Sequence, residues 1–77
     1  MSRAGFRSEV LVGRTPYTYE VETGGILTVW VTAAGSERIV GRGLVVGDGG
    51  RKRITQASQA LTDPLKFAIE QQLNREE

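Results

Sequence analysis

A chain of 77 residues that contains neither cysteine nor histidine has no disulfides, no thiolate or imidazole metal ligands and no imidazole to activate a nucleophile, which removes the commonest routes to catalysis. Hydrophobic residues at 39% and charged residues at 25% are proportions of a globular protein, not of a disordered or fibrous one. The net charge of +1 conceals an uneven spread, with Arg3, Arg7 and Arg14 early, Arg38, Arg42, Arg51, Lys52 and Arg53 in the middle, and Glu70, Glu76 and Glu77 at the end.

One small domain over residues 1–77 is expected, with a thin core, because a chain of this size buries only roughly 60% of the surface its unfolded form exposes. Residues 1–7 show no periodicity and read as a flexible arm. The longest apolar run, around Leu44, Val45 and Val46, is far too short to cross a bilayer, so a soluble cytoplasmic protein without a membrane partner is the expectation.

Glu9 to Val12 reads as an additional short strand, followed by a turn at Arg14-Thr15-Pro16, where proline fixes its own φ and extends the residue before it. From Tyr17 the alternation is strict, with Tyr17, Tyr19 and Val21 on one face and Thr18, Glu20 and Glu22 on the other, as in a half-exposed strand. Ile26 to Ala33 is the longest stretch that is both β-rich and alternating, and it reads as the central strand. A loop of three residues, Thr23-Gly24-Gly25, opposes Tyr17 to Val31, Tyr19 to Val29 and Val21 to Leu27. A turn of two would instead set Glu20 and Glu22 against the apolar row.

For the next hairpin, Gly35-Ser36 suits a type II′ turn, whose first central position favours glycine. That register opposes Val31 to Val40, Trp30 to Gly41 and Val29 to Arg42. The core face becomes Tyr17, Tyr19, Val21, Leu27, Val29, Val31, Ala33, Val40, Leu44 and Val46, with Arg42 as a misfit. Trp30 falls on the opposite face, either as aromatic cover over a glycine or as a stacking platform for a base, sugar or partner side chain.

Gly47-Asp48-Gly49-Gly50 reads as a loop, and Ile54, Ala57, Ser58 and Leu61 then recur at helical spacing. Pro64 interrupts this pattern. With Asp63 as N-cap and Pro64 in the first turn, a helix follows from Pro64 to about Asn74, carrying Leu65, Ala68, Ile69, Gln72 and Leu73 on one face. The fold class is therefore α+β: an antiparallel sheet of three to four strands followed by one kinked or two short C-terminal helices packed on one face.

The one constellation with chemical interest is the glycine-rich loop before Arg51, Lys52 and Arg53. At a helix start these cations would join backbone N–H groups in attracting an anion. The spacing matches neither GxGxxG nor a P-loop. From Tyr17 to Leu61, the order of sheet, glycine-containing loop, basic residues and helix resembles in layout the C-terminal part of a double-stranded RNA-binding domain. That family carries lysines at the start of its last helix, where Arg51, Lys52 and Arg53 would stand. The likeness is one of layout and not of family membership, since no helical pattern precedes Tyr17 and Pro64 interrupts the last helix.

Of the carboxylates, only Glu20 and Glu22 share a face at close spacing, and both alternate with water-facing strand positions. An enzyme is not expected, and no cofactor or metal is implied. Two readings of function stand. One is a nucleic-acid or phosphate-binding module using Arg38, Arg42, Arg51, Lys52 and Arg53 with Trp30. The alternative is a protein–protein interaction module, most simply a homodimer, that completes its thin core through sheet edges or the Ile69 and Leu73 helix face.

Overall fold

A computed structural model describes residues 7–75. Five strands, β1 (Arg7–Val12), β2 (Thr15–Glu22), β3 (Ile26–Ala33), β4 (Ser36–Asp48) and β5 (Arg51–Thr55), pair in chain order as an antiparallel meander, followed by the single helix α1 (Asp63–Arg75). The sheet curls into a half-barrel, and α1 lies across its open side, touching both edge strands β1 and β5.

The second hairpin has the expected register: Tyr17 faces Val31, Tyr19 faces Val29 and Val21 faces Leu27. Gly25 closes its loop at φ +87°, and a Cβ there would lie 2.5 Å from the Val45 carbonyl oxygen. The Val45 N–H in turn donates to the Gly25 carbonyl at 2.8 Å. Only glycine meets both the left-handed backbone and the close approach, so this loop is pinned to β4.

The third hairpin corrects the expected register. Ala33 pairs with Ser36, so the turn is Ala34-Gly35, and both residues have positive φ, 54° and 79°, the backbone of a type I′ turn. Val31 then faces Arg38 rather than Val40, Trp30 faces Ile39 rather than Gly41, and a bulge at Val40 sets Val29 opposite Gly41 rather than Arg42. The Arg42 misfit thereby disappears. Arg42 pairs with Thr28 and Leu44 with Ile26 on the outer face, while Gly41, Gly43 and Val45 turn inward.

The two inward glycines explain how the next segment packs. A Cβ on Gly41 would stand 2.9 Å from the Ser58 Cβ and 3.5 Å from Leu61, and one on Gly43 would stand 3.3 Å from Ile54. The segment after β5 therefore seats directly on β4. The Ser58 N–H donates to the Arg42 carbonyl at 2.9 Å, and the Arg42 N–H donates to the Ser58 hydroxyl at 3.1 Å.

Arg51 to Thr55, expected to lead into a helix, form β5, paired with β4 across a Gly49-Gly50 turn. The sheet thus has five strands rather than three or four, and one C-terminal helix rather than a kinked pair. The layout likeness to a double-stranded RNA-binding domain fails at this point, since its basic helix start is here a strand. The helical spacing of Ile54, Ala57 and Leu61 came from a strand running into a sharp bend. All three pack on the core, but Gln56 turns between them at φ 53°. Arg7, expected in the flexible arm, opens β1, and residues 1–6 lie outside those described.

The core lies between the inner sheet face and the helix. Tyr19, Leu27 and Val29 from the strands meet Leu61 and the Leu65, Ile69 and Leu73 stripe of α1, each burial of a large aliphatic chain contributing about 1.5–3 kcal/mol. Leu44 and Val46, expected in the core, instead belong to the outer face.

α1 also closes one sheet edge. On β5 the Lys52 N–H donates to Asn74 Oδ1 at 2.8 Å, the Ile54 N–H donates to Glu70 Oε2 at 2.8 Å, and Asn74 Nδ2 donates to the Lys52 carbonyl at 3.1 Å. Two side chains one helical turn apart thereby stand in for a neighbouring strand.

Candidate binding surface on the outer sheet face

The face of the sheet turned away from α1 is covered by no element among the described residues. Register and alternation place Ile26, Leu44 and Val46 together there, with Trp30 beside Ile39 across the Thr28–Arg42 row. Ile26, Ile39 and Val46 are 45%, 56% and 36% exposed. Leu44 and Trp30 are half-buried.

Trp30 carries the most organised polar contacts of this face. The Arg7 guanidinium lies over its ring, 4.1 Å from the centroid. Arg7 Nη1 donates to Glu37 Oε1 at 2.9 Å, and Arg7 Nε lies 3.8 Å from Glu20 Oε1. One cation from β1 therefore spans to β2 and β4 and covers the indole. One face of the Trp30 ring is thus held by a cation.

Four of the six residues singled out from the sequence fall on this face: Trp30, Arg42, Arg51 and Arg53. Arg53 is paired with Asp48 at 3.4 Å. Arg42 and Arg51 form no ion pair among the described residues. Arg38 faces Val31 and Lys52 faces Gly47, positions of the inner parity, so these two do not join the cluster. The helix N-terminus that would have supported Arg51, Lys52 and Arg53 is not there, because these residues lie in a strand.

The sequence reading missed Arg7, which it had assigned to the arm. Alternation of Arg7, Glu9 and Leu11 with Ser8, Val10 and Val12 ahead of Gly13 carried the signal that the strand begins earlier. Among the described residues no cluster of three or more acidic side chains is placed to hold a metal ion, and no helix is long and apolar enough to cross a membrane. No family model matches this chain, and no curated protein or solved structure is similar to it.

Proposed function

We propose that this protein is a non-enzymatic interaction module that docks a protein partner on the outer face of its sheet. The carrying observation is the uncovered group of Ile26, Leu44 and Val46 on adjacent strands, with Ile39 nearby. The inner face has its apolar surface covered by α1, whereas the outer face keeps an apolar centre with Glu22, Arg42, Arg51 and Arg53 around it. An apolar centre inside a charged rim is the usual composition of a protein interface.

Affinity capture with the wild-type chain and with an Ile26→Asp, Val46→Asp double variant tests this. A specific partner retained by the first and lost by the second, while both give the same thermal midpoint, supports docking on this face. Identical retention by both contradicts it.

One observation favours a nucleic acid as the ligand of the same face: Arg42 and Arg51 stand there without acidic partners among the described residues. Binding through phosphates would weaken steeply with salt, and Arg42→Gln with Arg51→Gln would reduce that slope by about two. Titration with short single- and double-stranded oligonucleotides at low salt decides it, and the absence of any binding there removes this second reading.

A further inference from the structure

The two edges of the sheet are treated differently. In an antiparallel ladder a residue directs its N–H and C=O to the same side, and successive residues alternate. The Glu9 carbonyl accepts from Gln72 Nε2 at 3.2 Å, on the side away from β2. Arg7, Glu9 and Leu11 therefore turn their backbone groups to the open edge, and Ser8, Val10 and Val12 turn theirs to β2. Apart from that Glu9 carbonyl, none of these edge-facing groups has a partner among the described residues.

On β5 the corresponding groups of Lys52 and Ile54 are occupied by Asn74 and Glu70. β1 has no proline, no lysine and no bulge in its register with β2, and its charged side chains are Arg7 and Glu9. Leu11 is 66% exposed and borders an open groove of about 240 Å³ lined by Glu9, Val10, Leu11, Pro16 and Gln72.

We infer that β1 is a homodimerisation edge, to which a second copy of the chain adds its own β1 antiparallel around a two-fold axis at Val10. This surface is distinct from the outer face and stands on a separate observation. Hydrogen-bond parity allows only registers that oppose edge-facing residues. Placing Glu9 against Glu9 of the second copy sets like charges opposite one another. Placing Arg7 against Glu9 of the second copy asks for a guanidinium already held by Glu37 and Trp30. Arg7 against Arg7 opposes like charges and Leu11 against Leu11 pairs only Val10 to Val12 of the strand, whereas opposing Glu9 to Leu11 of the second copy sets Val10 against itself and Ser8 against Val12, so that Ser8 to Val12 are all paired. The pairs of Glu9 with Leu11 would exchange backbone hydrogen bonds twice, releasing the Gln72 amide to water.

Because the Leu11 N–H faces away from β2, Leu11→Pro deletes an edge donor without touching the ladder inside the chain. Sedimentation from low to high micromolar concentration is the test. The wild-type chain sediments at twice its 8.4 kDa mass, and Leu11→Pro sediments as a monomer with an unchanged circular dichroism spectrum. Leu11→Glu, a substitution at an exposed site that folding tolerates, weakens the dimer by about tenfold through two acid pairs across the axis. A monomeric wild type, or a dimer untouched by Leu11→Glu, overturns the inference. The Ile26→Asp, Val46→Asp variant remains dimeric; its dissociation would move the contact to the outer face, overturning this inference while leaving outer-face docking in place.

Discussion

The guanidinium of Arg7 and the indole of Trp30 are stacked 4.1 Å apart although they belong to strands separated by β2. The contact joins the first strand to the centre of the sheet on the side that α1 does not reach. Its contribution is small per interaction, about 0.5–1 kcal/mol for an exposed cation–π pair. Its effect on accessibility is larger, because the cation shields one ring face.

Arg7→Ala is therefore expected to lower stability by about 1 kcal/mol, combining the stacking with surface ion pairs of about 0–1 kcal/mol each. Trp30 is the only tryptophan, so its emission reports the change. Acrylamide quenching rises in the variant, and unchanged quenching would contradict the stack.

Ala34 occupies the first turn position of the third hairpin at φ 54°, where an L-residue pays about 1–2 kcal/mol in the left-handed region. Ala34→Asn, or Ala34→Gly, is expected to raise the unfolding free energy by about 0.5–1 kcal/mol, as measured in denaturant. With the Gly35-Ser36 turn suggested by composition, the same glycine would sit in a strand and destabilise it. The sign of the change separates the two registers.

Gly41→Ala tests the packing of the segment after β5 on the sheet. The new methyl would stand 2.9 Å from the Ser58 Cβ and 3.1 Å from its hydroxyl oxygen, and overpacking of this kind costs about 1–3 kcal/mol. Gly47→Ala, with nothing within 4 Å, serves as the control and is expected to change the thermal midpoint little.

Asn74 makes three hydrogen bonds through one side chain, two to Lys52 and one to the Glu70 carbonyl. Asn74→Ala is expected to cost about 1–3 kcal/mol by leaving half-buried polar groups unpaired. It should also speed amide exchange at Lys52. Unchanged protection there would show that the helix does not close the β5 edge.

The parts of the fold legible in the sequence are those fixed by strict alternation or by proline. Tyr17 to Glu22 alternate without a break and Ile26 to Ala33 form a long β-rich run, so loop length set their register, and Asp63-Pro64 marked the start of α1. The third hairpin was not legible because alanine at positive φ leaves no composition signal and the Val40 bulge shifts the alternation by one. β5 was misread because Ile54, Ala57 and Leu61 reach one core from a strand and a bend at spacings that imitate a helix. Of the candidate surface, Trp30 was placed on the correct face, but its neighbour is Ile39 and its partner is Arg7, a residue whose strand has charged positions on its outer side.

The central claim is that one sheet face is filled by α1 and the other is left open for a partner. Side-chain methyl resonances in the presence of a soluble paramagnetic reagent test it most directly. Ile26, Ile39 and Val46 should broaden strongly, as should Leu11 in the wild-type chain at high dilution, while Leu27, Val29, Leu65 and Ile69 stay sharp. Protection of Ile26, Ile39 and Val46 in a monodisperse monomer would show that the chain covers this face itself and would contradict the account.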